Sequence, residues 1–239
     1  MLVSCICLTY NRCPSHQFLL EECIESFLRQ DYEEKELIIL NDTPRQYVRS
    51  DAKGVIAINE NCRFKTLGEK YNFAISCSTG ELICGWEDDD ISLPWRLSYS
   101  VEALGDFDYY NPQGEWYMTG TGLHWEHNQG CCHASSIFRR SAWEQVGGYP
   151  AVSGPQDQQF DGLLRSKCRT VKNPPLPKEN WYYIYRWGVS PVHLSGHYPH
   201  DEFYEMIGAR EIEEGDFFIL PGWRKDYVAL CEAKLEEAT

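Results

Sequence analysis

Residues 81–94 read Glu-Leu-Ile-Cys-Gly-Trp-Glu-Asp-Asp-Asp-Ile-Ser-Leu-Pro, and this stretch decides the fold. Residues 81–86 form a short apolar run directly after Gly80, a pattern that predicts a buried strand. The strand leads into four consecutive acids, Glu87, Asp88, Asp89 and Asp90. Ligands of open α/β sheets bind beyond the carboxyl ends of the strands, which is where these acids would lie.

The four acids require a positive charge among them, because neighbouring carboxylates repel one another. A hard divalent cation is the simplest neutraliser, and Mg²⁺ or Mn²⁺ commonly shares such carboxylates with substrate phosphates. The alternative is a solvated acidic turn before a helix, in which Asp90 or Ser92 caps the helix N-terminus. The sequence on either side of the stretch is needed to distinguish a cation site from a turn.

Toward the N-terminus, three more apolar runs predict strands over residues 2–8, 36–40 and 54–58. Amphipathic spacing predicts helices over residues 18–30 and 68–78. Strands that alternate with helices form βαβ units, so the sequence predicts an α/β fold with a largely parallel sheet.

Polar residues follow three of the four predicted strands. The turn at residues 9–12 follows the first, Asn41 and Asp42 follow the second, and the acids follow the fourth. The first strand is followed by no Gly-x-Gly-x-x-Gly, and the sequence contains no Gly-Lys-Ser/Thr. A dinucleotide-binding fold of the common type and a P-loop NTPase are therefore both disfavoured.

The composition excludes several classes of protein. The net charge of −14 over 239 residues argues against binding to a nucleic-acid backbone or an anionic membrane surface. No apolar run approaches the roughly 20 residues of a transmembrane helix. The eleven cysteines include no Cys-x-x-Cys pair, and the first predicted strand leaves no room for a signal peptide. We therefore expect a reducing, cytoplasmic setting with no disulfide framework.

Several segments stand in a fixed order along the first 97 residues: VSCICLTYNR at 3–12, the strand at 36–42, GEKYNFAI at 68–75, TGELI at 79–83, and the acids followed by PWRL at 94–97. Together they resemble the family 2 glycosyltransferases, and weaker matches continue to about residue 197. The resemblance implies the GT-A fold, in which helices flank a central, mostly parallel sheet. It implies a nucleotide-sugar-binding half, an acceptor-binding and catalytic-base half of the same domain, and a C-terminal strand and helix, at 1–97, 98–200 and 201–239.

The resemblance also implies which residues contact the nucleotide. The first turn would do so through Thr9, Tyr10, Asn11 and Arg12. Asp42 would read the base and ribose, where a carboxylate accepting the uracil N3–H favours UDP, although Asn41 stands where many members carry another Asp. Lys70 would lie near the diphosphate. Without the resemblance, Asp42 would be interpreted as an Asx-turn near Pro44 and Lys70 as part of a solvated helix face.

The family's Asp-x-Asp element corresponds to Glu87, Asp88 and Asp89. The resemblance implies that Asp89 binds the Mn²⁺ or Mg²⁺ that bridges the two phosphates. Glu87 would face the ribose, and Asp88 belongs with the nucleotide contacts. Glu87 replaces the usual Asp, and one extra methylene moves the carboxylate by about 1.5 Å.

Residues 137–149 resemble the family segment before the catalytic base, with a helix that ends at Gly147-Gly148. Asp157 then stands at the position of the base that takes the acceptor's proton in an inverting transfer. Asp161 is a nearby rival, and Asp157 could also cap a helix that begins near residue 158. Residues 185–188 and 193–197 resemble another segment near the active site, where His193 or His197 could complete the metal shell.

Residues 105–135 are rich in aromatic and polar side chains and have no clean periodicity. Trp116, Tyr117, His124 and Trp125 suit a sugar-binding cleft, or else the packed edge of a subdomain. The tail predicts a strand over residues 217–220 and a helix over 223–237 that packs on the body or on a second subunit of a homo-oligomer.

The sequence therefore predicts a metal-dependent, inverting glycosyltransferase. It would transfer a sugar from a nucleotide sugar, with UDP favoured, to a hydroxyl acceptor in glycan or surface polysaccharide synthesis. A nucleotidyltransferase that acts on a sugar phosphate is one alternative. It usually has a Gly-rich basic loop after the first strand, which residues 9–12 do not form. A non-catalytic nucleotide- or carbohydrate-binding module is the other.

Overall fold

The structure is a computed structural model that describes residues 1–128, 132–172, 176–187, 206, 208 and 210–237. Its strands are β1 Val3–Thr9, β2 Lys35–Asn41, β3 Gln46–Arg49, β4 Val55–Asn59, β5 Leu82–Gly85, β6 Ile91–Ser92, β7 Tyr109–Tyr110, β8 Glu115–Thr119, β9 Gly122–Glu126, β10 Ile137–Arg139, β11 Tyr183–Arg186 and β12 Gly215–Phe218. Its α-helices are α1 Gln17–Leu28, α2 Leu67–Ser76, α3 Arg96–Leu104, α4 Arg140–Val146, α5 Gln156–Lys167 and α6 Tyr227–Glu236.

The central sheet has the strand order β4-β2-β1-β5-β10-β7. The first four strands in that order are parallel, and β10 runs antiparallel to both of its neighbours. This mostly parallel sheet, flanked by helices, confirms the predicted α/β fold. The strands and helices predicted over the first 90 residues form, with bounds that differ by one or two residues.

The central strands are apolar throughout because both of their faces are covered. On β1, Cys5 and Cys7 pack into a core with residues of α1 and α3. Ile6 points the other way, into a core with residues of α2, α4 and α5. Burial on both faces explains why the sequence of this strand reads as a continuous apolar run and not as an alternation.

Helix α2 is fixed at its N-terminus by a capping box. The Thr66 hydroxyl accepts a hydrogen bond from the Glu69 backbone N–H, and the Glu69 carboxylate accepts one from the Thr66 N–H. Gly68, in the first turn, lies so close to the carbonyl of Pro150 that an added Cβ would be 1.8 Å from the Pro150 oxygen. The helix is thus seated directly on the loop before α5.

A second sheet has the order β6-β11-β8-β9 and packs on α6. It is tied to α1 by a buried ion pair between Arg186 and Glu22, and the Tyr227 hydroxyl donates to the same Glu22 carboxylate at 2.7 Å. This contact holds β11, α1 and α6 together.

The tail differs from the prediction in its bounds. The predicted strand at 217–220 is β12 at Gly215–Phe218, and it pairs in parallel with β3, which the sequence did not predict. The predicted helix begins four residues late, at Tyr227, because the Asp226 side chain caps it through the Ala229 N–H. The predicted division of the chain at residues 97 and 200 stays a prediction.

The ten cysteines within the described ranges are all free. Cys7 and Cys23 come within 3.6 Å of each other, sulfur to sulfur, in the core. In the same ranges, no helix has both the length and the apolar character needed to cross a bilayer.

Candidate active site

The predicted polar residues converge because β2, β1 and β5 are neighbours in the sheet and run in the same direction. Their carboxyl ends therefore lie side by side. The turn at residues 9–12 continues from β1, Asp42 follows β2, and the four acids follow β5 by way of Trp86. The structure brings these groups to one edge of the sheet.

The positive charge among the acids is the guanidinium of Arg12. Its Nε and Nη2 donate to the two carboxylate oxygens of Asp88 at 2.8 and 2.6 Å, and Nη2 also donates to Asp89 at 3.0 Å. All three side chains are buried. Removing one partner of a buried ion pair of this kind strongly destabilises the folded protein, because the other charge is left buried without a partner.

The alternative of a solvated acidic turn is wrong. The residue before α3 is Trp95, and its side chain makes no capping hydrogen bond to that helix among the described residues. Asp90 accepts the Tyr183 hydroxyl at 2.5 Å and the Arg186 backbone N–H at 2.7 Å, and Ser92 accepts Nη1 of Arg96 at 2.7 Å. Both candidate caps are therefore engaged in the interior.

Glu87 has an environment of its own. Burial raises the pKa of Glu87 to about 8, the charge of Asp89 adds to the rise, and a hydrogen bond of 2.8 Å from the Tyr71 hydroxyl opposes it. At neutral pH this carboxyl retains its proton more often than not. A protonated carboxyl can both donate and accept, which suits contact with a sugar hydroxyl.

Asp42 and Lys70 form a buried pair at 2.6 Å, with side chains that are 1% and 3% exposed. Lys70 also donates to the Thr9 carbonyl at 2.7 Å, and the second Asp42 oxygen accepts the Phe64 N–H at 2.9 Å. The interpretation of Lys70 as part of a solvated face is thus wrong. The Asx-turn belongs to Asn41, whose side chain accepts the Thr43 N–H at 3.2 Å.

The turn after β1 is strained and anchored. Asn11 has a φ of 50°, in the left-handed region, and its N–H donates to the Thr43 hydroxyl at 2.7 Å. The Tyr10 ring lies under the guanidinium of Arg63 at 4.5 Å. A cleft of about 650 Å³ opens beside this turn, and residues 13–16 and 210–214 complete its lining.

The two candidate bases on α5 differ in their contacts. Asp157 is the second residue of the helix, and its carboxylate accepts the neighbouring Gln158 N–H at 2.7 Å. It is therefore not the N-cap, a position that Pro155 occupies. Asp161 accepts the Tyr109 hydroxyl, and it pairs with Arg165 at 2.5 Å. Asp161 is thus held in a structural network, and Asp157 has the freer carboxylate.

The aromatic residues of the middle stretch divide between two faces of the β8–β9 pair. Trp116 is buried and packs edge-on against Trp181 with ring centroids 5.6 Å apart, so its assignment to a sugar-binding cleft is wrong. Tyr117 lies on the opposite face, paired with His124 across the strands, and stacks on Tyr185 with ring centroids 5.5 Å apart. The alternation along β8 was the available signal for this division.

Two groups near the site were not singled out in the sequence. Glu115 on β8 is 7% exposed, and burial raises its pKa to about 7. His133 is buried in an aromatic cluster, where its Nε2 lies 2.6 Å from the Tyr149 hydroxyl and burial lowers its pKa. Neither residue belongs to a recognisable motif, so only the fold reveals them.

The predicted ion lacks a preformed cage among the residues that the structure describes. In those ranges no three or more His, Cys, Asp or Glu side chains are placed to hold a metal. The carboxylate of Asp89 nevertheless fits a Mn²⁺ or Mg²⁺ ion that takes its remaining ligands from substrate phosphates and water. The assigned His193 and its rival His197 lie outside the described residues.

The fold and the strand-end site define the class of α/β enzymes to which the GT-A glycosyltransferases belong. The profile of the family described as Glycosyl transferase family 2 matches residues 4–147. This match spans more than half of the chain, and the chain therefore belongs to glycosyl transferase family 2, as the sequence predicted.

Relatives and solved structures agree with this assignment. EpsE of Bacillus subtilis, named as a glycosyltransferase, is 27% identical over 56% of this chain and 56% of its own length. An uncharacterized glycosyltransferase of Haemophilus influenzae is 27% identical over 48% of this chain and 36% of its own. The chain thus matches about half or less of these relatives.

Two solved structures share the fold. S. aureus TarS 1-349 in complex with UDP-GlcNAc has a TM-score of 0.60 at 15% identity, over 90% of this chain and 68% of that one. The mannosyltransferase PcManGT from Pyrobaculum calidifontis, in complex with GDP-Man and Mn²⁺, has a TM-score of 0.53 at 18% identity, over 77% of this chain and 56% of that one.

Proposed function

We propose that this chain transfers a sugar from a nucleotide sugar to a hydroxyl group of a glycan acceptor. The observation that carries the proposal is the meeting of Arg12, Asp42, Lys70 and the four acids at the carboxyl ends of three adjacent parallel strands. Membership of glycosyl transferase family 2 supports the type of reaction. The nucleotide sugars held by the TarS and PcManGT structures support the class of donor.

The donor would lie across the turn at residues 9–12, with its diphosphate toward Asp89. A Mn²⁺ or Mg²⁺ ion held by Asp89 would neutralise the charge of the departing diphosphate. Arg12 and Lys70 are two buried basic side chains at this edge. Each already contacts a carboxylate, and a phosphate oxygen offers a further acceptor for the N–H groups of Arg12.

UDP is the first nucleotide to test. Both oxygens of Asp42 already accept hydrogen bonds, from Lys70 and from the Phe64 N–H. Each carboxylate oxygen has a second lone pair, so contact between Asp42 and a uracil N3–H is compatible with both bonds.

Asp157 would take the proton of the acceptor hydroxyl as that oxygen attacks the sugar carbon from the side opposite the diphosphate. Attack from the opposite face inverts the configuration at that carbon. The carboxylate is partly exposed at the start of α5. Burial raises the pKa values of Tyr71 and Tyr149, and the charge of Asp157 adds to the rise in both. The Tyr71 hydroxyl in turn donates to Glu87. The contact of Asp157 with the Gln158 N–H occupies one lone pair and leaves others to accept the acceptor's proton.

The acceptor would be a glycan or a growing polysaccharide. The face of the second sheet that carries Tyr117 on β8 and Tyr185 on β11 presents partly exposed aromatic rings, on which the apolar face of a sugar can stack. Free cysteines throughout the described ranges favour a reducing, cytoplasmic setting for the reaction.

The test is a screen of UDP- and GDP-sugars with Mn²⁺ in the absence of acceptor, measuring release of the nucleoside diphosphate. We expect slow hydrolysis of one donor, abolished by Asp89→Asn. A second arm supplies a sugar phosphate with UTP and measures pyrophosphate. Pyrophosphate release without hydrolysis of any donor would replace the proposal with a nucleotidyltransferase, and donor binding with neither reaction would replace it with a binding module.

A further inference from the structure

The contact between Arg12 and the acids spans the site from one strand end to the next. Arg12 lies in the turn after β1, and Asp88 and Asp89 follow β5, 76 and 77 positions further along the chain. Its guanidinium meets Asp88 with two parallel hydrogen bonds, the bidentate geometry that is the strongest form of this pairing. Among the described residues, Arg12 is the cation within salt-bridge distance of either aspartate.

The position of Arg12 has a consequence for cation binding. Its Nη2 lies 3.0 Å from Oδ2 of Asp89, the carboxylate to which we assign the divalent ion. A divalent ion on that carboxylate would approach a fixed positive charge at close range, and repulsion between like charges weakens its binding. With Arg12 in this place, one of the two negative charges of Asp88 and Asp89 is already balanced.

A second feature of Arg12 points to a ligand. Its Nη1 is completely buried, in a residue that is only 5% exposed, and it has no hydrogen-bond partner among the residues that the structure describes. A buried N–H without a partner is costly, and a phosphate oxygen is a strong acceptor for a guanidinium. The unsatisfied nitrogen and the nitrogens that bind the two aspartates therefore belong to the same guanidinium group.

We propose that Arg12 is a positioning residue that keeps a divalent ion off Asp89 until the diphosphate of the donor engages its guanidinium. This inference rests on the proposed function for the identity of the anion. The diphosphate would satisfy Nη1 and draw the guanidinium from Asp89, so that the ion can take that carboxylate together with phosphate oxygens. Ion and donor then bind with positive coupling, and each raises the affinity for the other by the same factor.

The test is a calorimetric titration of Mn²⁺ into three nucleotide-free proteins: the wild type, Arg12→Gln and Arg12→Lys. Arg12→Gln removes the charge, and Arg12→Lys keeps it. We expect weak binding to the wild type and to the lysine variant. We expect binding to the glutamine variant that is tighter by about 5- to 150-fold, the usual range of such couplings. Adding Asp89→Asn to the glutamine variant should abolish that gain, which locates the ion.

The metal-only titrations need no nucleotide, so they are independent of the proposed function. An unchanged Mn²⁺ affinity in Arg12→Gln would overturn the inference, even if the protein transfers sugars. A tightened affinity without any nucleotide binding would support the role of Arg12 and reject the proposed donor. Should Arg12→Gln fail to fold, the proposal is tested on the wild type by titrating Mn²⁺ with and without UDP. An equal Mn²⁺ affinity under both conditions contradicts the proposal.

Discussion

At the scale of single residues, the two aspartates of α5 have different surroundings. Asp161 is held by Tyr109 and Arg165, whereas the carboxylate of Asp157 contacts the neighbouring Gln158 N–H. We expect Asp157→Asn to lower the rate of transfer by about 10²- to 10⁴-fold, because the variant cannot accept the proton of the acceptor hydroxyl. Donor affinity should stay unchanged, since Asp157 belongs to the acceptor side. The measurement is product formation at saturating donor, alongside a donor titration.

The matched control is Asp161→Asn on the same helix. Asp161 accepts from Tyr109 and pairs with Arg165, so its loss should lower the melting temperature. Transfer by the folded enzyme should continue. If Asp157→Asn stayed active while Asp161→Asn lost transfer at full stability, the base would be Asp161.

The buried carboxyl of Glu115 should make the stability of the protein depend on pH. Burial raises its pKa from the ordinary 4.5 to about 7, so the unfolded chain releases this proton at lower pH than the folded protein. The stability contributed by the protonated carboxyl is complete below about pH 4.5 and is lost as the pH rises through 7. Glu115→Gln cannot ionise and should escape this loss.

We therefore expect the free energy of unfolding of the wild type to fall by about 2 kcal/mol relative to that of Glu115→Gln when the pH is raised from 5 to 8. Urea denaturation at the two pH values measures the difference. A hydrogen bond from the Cys132 thiol opposes the rise in the pKa of Glu115. A difference between the two proteins that is the same at both pH values would mean that Glu115 is ionised throughout.

At the scale of elements, α2 packs closely against the loop before α5. Gly68→Ala should cost about 1–3 kcal/mol, because its Cβ would lie 1.8 Å from the Pro150 carbonyl oxygen and backbone must move. The control is Gly162→Ala in α5, where an added Cβ meets nothing within 4 Å. That substitution should stabilise by about 0.5–1 kcal/mol.

Urea denaturation of both alanine variants tests this packing. A neutral Gly68→Ala would mean that α2 sits further from the loop than the structure places it. Because Lys70 and Tyr71 follow Gly68 on α2, a shift of the helix would also move the Lys70–Asp42 pair and the Tyr71–Glu87 contact.

Strands could be predicted from the sequence where a single apolar pattern reflected their burial. β1, β2 and β5 are covered on both faces, and their sequences are continuous apolar runs that end in polar residues. The β8–β9 hairpin was missed because aromatic side chains occupy both of its faces. Alternation at Trp116 and Met118, opposite Trp125 and Leu123, was its signal.

At the scale of the whole molecule, the sequence predicted which residues gather but not how they pair. Chain order and parallel strands suffice to bring the residue 9–12 turn and the acids to one edge. That Arg12 would neutralise Asp88, or that Lys70 would be buried on Asp42, depends on side-chain packing between residues 76 and 28 positions apart. Local patterns carry no information about such contacts.

The tail illustrates the same limit. β12 pairs with β3 through a register that joins Gly215 to Gln46, and the segment before it contacts the first turn through the Glu211 carbonyl and Asn11. β3 is four residues long and follows the Asn41 turn closely, so its sequence alone gives little sign of a strand. Its partner lies about 170 residues further on, beyond the reach of any periodicity.

The central claim is that the strand-end site binds a nucleoside diphosphate together with a divalent ion on Asp89. The most direct measurement is a calorimetric titration of UDP, and then GDP, into the wild type and Asp89→Asn, each with and without Mn²⁺. We predict that one of the two nucleotides binds the wild type with Mn²⁺, far more weakly without it, and equally weakly to Asp89→Asn under both conditions. Binding of neither nucleotide under any condition, or binding that is indifferent to both Mn²⁺ and Asp89, would contradict the account.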